Sequence, residues 1–238
     1  TFQRPMSGGA YVLKMAERTD EATATAISRR LADLPEVEYA EPDAIMQLVR
    51  GPALAEAPDN ADFDPDDTRF DDQWHYRYEA GVEEGLNLLP AWDITTGLDT
   101  TVVAVIDTGI RPHADLSGRT VPGYDFINDL FVANDGNGRD NNPADPGDWS
   151  TSSQCSPGSP AESSSWHGTH VAGTIAANSN NGSDVTGINW AAKILPVRVL
   201  GRCGGYLSDI VDATRWAAGL AVTGVPANAW LEKMGVRY

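Results

Sequence analysis

The apolar run Thr101-Val-Val-Ala-Val-Ile106, closed by Asp107, constrains this chain more than any other feature. A strand with one face in water alternates apolar and polar residues. An unbroken apolar strand has to be covered on both faces, as in a parallel sheet flanked by helices. From Gln73 onward strand and helix signals alternate in keeping with this. His167 to Ala177 reads as a buried helix rich in small residues, and Leu207 to Leu220 as a second helix with Ile210, Val211, Ala213, Thr214, Ala217 and Ala218 at helical spacing. Ala191 to Leu200 reads as the next strand, which Pro196 demotes to an edge or a bulge. The stretch from Asn134 to Ser165 is an Asp-, Gly-, Pro- and Ser-rich loop, too long to be a simple connection.

The first 50 residues read differently. A strand over Ala10 to Met15 precedes a helix from about Glu21 to Leu34, capped by Thr19 or Asp20 and ended by Pro35. Ala24, Ile27, Leu31 and Leu34 share one helical face, and a second strand is expected in Val37-Glu-Tyr39 and on through Ile45 to Val49. Residues 51–72 read as a linker. Eight acids and one Arg between Glu56 and Asp72 repel one another and carry little apolar surface to bury.

The formal charge of −17 argues against nucleic acid, whose phosphates it repels. It fits either a solvated surface or calcium held by clustered carboxylates. No run of 18 apolar residues exists, and Thr1 to Ala10 lacks the charged head and apolar stretch of a signal peptide. The chain starts without Met, so the natural N-terminus is expected to have been removed or not included. Cys155 and Cys203 form no C-x-x-C pair. They are either joined in a disulfide, which places the chain in an oxidising compartment, or are two separate buried thiols.

Asp107 directly follows the buried strand, where α/β sheets gather reactive groups. His167 opens His-Gly-Thr-His-Val-Ala-Gly173, where small residues let a helix approach a strand closely. A zinc site at His167 and His170 lacks the H-E-x-x-H spacing and a third ligand. Together, Val-Ala-Val-Ile-Asp107-Thr-Gly-Ile and His167-Gly-Thr-His-Val-Ala-Gly-Thr resemble the Asp and His signatures of the subtilisin-like serine proteases, over about Gln73 to Pro226. Residues 1–50 resemble part of that family's inhibitory propeptide, with Glu38-Tyr-Ala-Glu-Pro-Asp43 like its closing segment. Asp64 to Trp74 resembles the start of a mature secreted bacterial member.

The resemblance implies an incomplete subtilisin-like α/β fold, a parallel sheet with helices on both faces, preceded by a partial α+β, ferredoxin-like propeptide. It divides the chain into a propeptide over 1–50, a processing region over 51–72, the N-terminal part of the catalytic domain over 73–226 and a divergent tail over 227–238. It makes Asp107 the orienting acid, His167 the general base and His170 structural. Gly204-Gly205-Tyr206 would bind substrate as an added strand. Gln73, Asp115, Asn178 and Asn180 would hold calcium, and Asp135, Asp140, Asp145 and Asp148 are a second candidate set, close together and without internal partners. The implied partners are protein or peptide substrates and the chain's own propeptide as inhibitor, with neither nucleic acid nor membrane, in a secreted protein.

The chain departs from that family in one respect: no Gly-Thr-Ser, the nucleophile's context, occurs in it, and the serines between Ser150 and Ser165 precede the His. The sequence therefore leads to three expectations. The first is an endopeptidase precursor truncated before its Ser and inactive by itself. The second is a product that binds without cleaving, and the third is a calcium-binding module.

Overall fold

The computed structural model describes residues 2–5, 11–13, 15–16, 19–40, 42, 64–77 and 85–233. The chain divides into two compact units, Thr1–Glu56 and Ala57–Tyr238. In the first, β1 (Phe2–Pro5) pairs antiparallel with β2 (Tyr11–Leu13), and α1 (Glu21–Ala32) follows. Asp20 caps α1 by accepting the Thr23 N–H at 2.7 Å. The helix stops at Ala32, two residues short of the expected Leu34, because a residue before proline is driven out of the α region. The Leu34 N–H instead reaches the Leu31 carbonyl at 3.1 Å in a tightened last turn. Val37 to Tyr39 form no strand, since the Val37 N–H is spent on the Leu34 carbonyl at 3.0 Å. The rest of that expected strand, Ile45 to Val49, lies outside the described residues.

The second unit is built on a parallel sheet of β3 (Val102–Asp107), β4 (Tyr124–Asp125) and β5 (Lys193–Arg198), in the order β3-β5-β4. After two single-turn helices, α2 (Leu89–Trp92) and α3 (Leu130–Ala133), helix α4 (His167–Ala176) covers one face. There Ala172 and Ala176 pack on Val105 and Ile194, with Val103 beside them. Helix α5 (Leu207–Ala217) covers the other, where Ala213 and Trp216 meet Leu195, Val197, Tyr124 and Phe126. Both faces of β3 are thus covered, Val103 and Val105 on the α4 side and Val102 and Ile106 on the α5 side, although Ala104 stays exposed.

β5 lies at the centre of the sheet, which overturns the edge reading of Pro196. On the β4 side the Val121 N–H donates to the Ile194 carbonyl (2.9 Å) and the Phe126 N–H to the Arg198 carbonyl (2.8 Å). Between those bonds β5 advances four residues and its neighbour five, so the ladder slips by one there. Alternate residues of a parallel strand turn to the same neighbour. Pro196, midway between Ile194 and Arg198, therefore presents its missing N–H to the slip. Gly123 sits opposite, where a Cβ would collide with the Pro196 carbonyl.

The linker reading fails for residues 64–72. Phe70 is buried with Tyr76 and Trp92 in a separate aromatic cluster, and Tyr76 Oη donates to the Thr174 carbonyl at 2.8 Å. Residues 227–233 of the tail are also docked: Asn228 caps α6 (Ala229–Lys233), whose Trp230 packs against the α5 cluster.

Arg198, 1% exposed, ends β5 and pairs with Asp125, which is wholly buried, and with Asp135 at 3.0 Å. Burial pushes the Asp125 carboxyl up to about 6, against the pull of the Arg198 guanidinium. Between 3.8, its ordinary value, and about 6 the folded chain holds a proton that the unfolded chain has released. The stability this contributes is fully present below about 4 and lost as pH rises through about 6. Asp125→Asn should therefore flatten the dependence of the thermal midpoint on pH across that window. A slope equal to that of the parent protein would contradict the assignment.

Candidate functional site

Asp107 ends β3 at the carboxyl edge of the sheet, and His167 is the first residue of α4, entered through Trp166 in the left-handed region (φ 52°). The two come together because α4 lies hard against β3. A Cβ at Gly168 would collide with the Gly109 carbonyl and come within 3.2 Å of the Asp107 side chain. Gly109 itself has φ 101°, and a Cβ there would approach the Pro143 carbonyl to 2.5 Å. Glycine at both positions is what allows the contact.

His167 Nδ1 lies 2.9 and 2.8 Å from Asp107 Oδ1 and Oδ2. A carboxylate can only accept, so Nδ1 carries the proton and the Nε2 lone pair is left facing outward. The exposures match: the Asp107 side chain is 11% exposed and that of His167 62%. Asp107 Oδ1 also accepts the Thr108 N–H at 2.7 Å, which holds the carboxylate in place. Thr108 Oγ1 accepts the Gly168 N–H (3.0 Å) and donates to buried Asp145 (2.8 Å), tying the helix start to the strand end a second time. His170, one turn on, is exposed and stays outside this contact.

A cleft of about 450 Å³ opens at His167, walled by Leu200, Gly201 and Gly204 on one side and by the 148–165 loop on the other. Of the three residues expected to bind substrate, Gly204 lines this cleft. Gly205 backs onto the Val199 carbonyl, where no Cβ fits, and Tyr206 stands 54% exposed before α5. Cys155 and Cys203 are joined in a disulfide with their Cα atoms 5.4 Å apart, linking the two walls.

The four loop aspartates do not gather, contrary to expectation, because each has its own protein donor. Asp135 pairs with Arg198, Asp140 accepts from Asn137 (2.7 Å) and the Asn142 N–H, Asp145 from Thr108, and Asp148 from Ser165. Among the described residues no three His, Cys, Asp or Glu side chains are grouped so as to hold a metal.

The other candidate set falls around the loop after α4, though not as its members suggest. Gln73 is engaged by Thr186 on both sides, its Nε2 donating to the carbonyl (2.9 Å) and its Oε1 accepting the N–H (2.8 Å). Asn178 is turned towards Arg119, which donates to its Oδ1 at 2.8 Å. The Asn180 N–H donates to Asp67 Oδ2 at 2.7 Å. Asp115 is 3% exposed; burial pushes its carboxyl above the ordinary range, and the charges of Asp184 and Asp67 add to the rise. Asp67, 5% exposed, keeps one oxygen, Oδ1, buried without a partner. Sequence reasoning missed Asp67: within a run of eight acids nothing distinguishes the one that the fold buries.

Residues 99–233 match the profile of the subtilase family. An extracellular protease of Xanthomonas campestris pv. campestris is 49% identical over 226 residues, 95% of this chain and 36% of that protein. An extracellular basic protease of Dichelobacter nodosus is 42% identical over 231 residues, again covering 95% and 36%. The chain thus spans about a third of the length of these curated relatives. A solved protease structure from Pseudoalteromonas arctica superposes with a TM-score of 0.66 at 57% identity, covering 69% of this chain and 47% of that one.

Proposed function

The chain belongs to the subtilase family, and from that premise we propose that it supplies the acid and the base of an Asp/His/Ser endopeptidase that acts on proteins or peptides outside the cell. The observation that carries this is the Asp107–His167 contact at the carboxyl end of a parallel strand, with His167 lining a cleft. His167 Nε2 takes the proton of an attacking hydroxyl and returns it to the leaving amine, while Asp107 holds the ring and stabilises the imidazolium between those steps. The extracellular names of two relatives and the disulfide support secretion. Among the described residues no helix is long and apolar enough to cross a membrane.

The 238 residues contain no Gly-Thr-Ser. The reading is tested by turnover of a peptide substrate by this chain alone, and by the chain continued with the Gly-Thr-Ser-bearing remainder of a relative. Only the second should cleave. A second reading, binding without cleavage, is favoured by the cleft itself, which His167 and Gly204 both line whether or not a nucleophile is present.

Residues 1–50 are on this reading part of an inhibitory propeptide, with the processing region within 51–63, before the packed segment that holds Phe70; that both relatives align over 95% of the chain supports it. A calcium ion is proposed at Asp67 and Asp115, with Gln73 Oε1 and Asn180 as neighbouring oxygen donors. The donors are all oxygen and two are carboxylates in a dry setting, which suits a hard cation; the orphaned Asp67 Oδ1 is the observation in its favour. The dispersed loop aspartates do not share that fit. When bound, the ion would neutralise the two carboxylates and brace the loop after α4. Millimolar calcium should raise the thermal midpoint of the parent protein, and Asp67→Asn should remove most of that gain. An equal rise in parent and variant would rule out this location.

A further inference from the structure

One wall of the cleft is not used by the Asp107–His167 chemistry. The 148–165 loop closes on itself through Ser150 and Glu162, each N–H donating to the other's carbonyl (3.0 and 2.9 Å). It closes again through Asp148, whose carboxylate accepts the Ser165 N–H (2.6 Å) and O–H (2.7 Å). The disulfide to Cys203 fastens it to the opposite wall. The loop therefore holds a shape, and what it presents to the cleft is acidic. Asp148 and Glu162 both line it, and none of its described lining residues is Lys or Arg.

The two carboxylates are differently committed. Asp148 is engaged by Ser165, yet each of its oxygens can accept a second hydrogen bond. Glu162 is exposed and makes no side-chain hydrogen bond or ion pair. A third observation, independent of charge, lies in the same wall. Ser150 is only 4% exposed, and its hydroxyl has no hydrogen-bond partner. Buried hydroxyls are normally satisfied, so an orphan in the wall of a cleft points to a ligand that completes it.

Two carboxylates without a counter-cation and a hydroxyl without a partner match an ammonium or guanidinium, which brings positive charge and several N–H donors. We propose that the pocket between the 148–165 loop and His167 receives a Lys or Arg side chain of the peptide substrate, with Glu162 and Asp148 as its counter-charges. The inference rests on the cleft being a peptide site and adds the class of side chain it selects. The chain's net charge of −17 also favours the approach of basic peptides.

Binding can be read without turnover on the 238-residue chain as it stands. Capped tetrapeptides identical except for one central residue (Arg, Lys, norleucine or Glu) are titrated by calorimetry, with the His167 ring and the Gly204 amide followed by NMR. The Arg and Lys peptides should bind about tenfold more tightly than the norleucine peptide, and the Glu peptide least. Glu162→Gln, a change at an exposed side chain, should cut that preference several-fold while His167 still responds to every peptide. Raised salt should erode it in the parent protein. Equal affinity for Arg and norleucine peptides, or a preference unmoved by Glu162→Gln, overturns the inference while the His167 response keeps the cleft assignment standing. No response at His167 to any peptide overturns both.

Discussion

The purified 238-residue chain should hydrolyse a generic peptide no faster than buffer, and the chain continued by a Gly-Thr-Ser-bearing remainder should gain a turnover that Asp107→Asn lowers by about 10⁴-fold. The size of that loss follows from the hydrogen bonds at the ring. Asp107 can only accept, which forces the His167 proton onto Nδ1 and leaves the Nε2 lone pair to act as base. An amide in its place can offer an N–H to Nδ1, which turns the imidazole to the opposite tautomer with its proton on Nε2. The geometry is unchanged but the base is gone, and the imidazolium loses its counter-charge. His167→Ala should cost as much or more, because the acid is of no use without the base. Turnover by the 238-residue chain alone, abolished by these two substitutions, would mean that the chain holds a nucleophile of its own.

Gly168→Ala should break the Asp107–His167 contact and lower the stability of the second unit by about 1–3 kcal/mol. The new Cβ meets the Asp107 side chain at the end of β3 and the Gly109 carbonyl in the turn that follows it. The carbonyl belongs to backbone, and Gly109 is hemmed in by the Pro143 carbonyl. Relief must therefore come from lifting the first turn of α4, the turn that carries His167. The Gly168 N–H to Thr108 bond would lengthen with it. NMR should show the downfield Nδ1 proton of His167 in the parent chain and its loss in the variant, together with a lower thermal midpoint. A variant that keeps this proton and the parent's midpoint would show that the helix is not held at its closest approach. Gly173 in the same helix meets nothing within 4 Å, so Gly173→Ala is the matched control and should leave the proton in place.

Much of the site is legible in the residue order. The apolar run ending in Asp107 and the small-residue helix opening at His167 are local patterns, and local patterns are what sequence reasoning handles well. The helix cap at Asp20 is also local: a carboxylate within reach of an N–H three residues on. What the sequence leaves open has a different origin. The missing donor of Pro196 allows an edge or a bulge, and the choice of the bulge rests on a one-residue slip between two distant segments. The acidic stretch up to Asp72 reads as too polar to fold. Phe70 is nonetheless buried, because Tyr76, Trp92 and Trp190 come from elsewhere to receive it.

The acids show most clearly where the division lies. That the chain carries a large excess of carboxylates, that one of them ends a buried strand, and that a histidine opens a helix able to reach it all follow from residue order alone. They depend on periodicity, side-chain size and the preference of apolar surface for a dry setting. Which carboxylate does what does not follow. Asp135 neutralises a buried arginine, Asp145 steadies Thr108, Asp148 staples a loop, and Asp67 is left with an orphaned oxygen. In sequence these are the same residue in similar company. They are told apart only by partners that lie 17 to 119 positions away. A carboxylate's role is set by its distance to donors and by its exclusion from water, and both are properties of the packed chain.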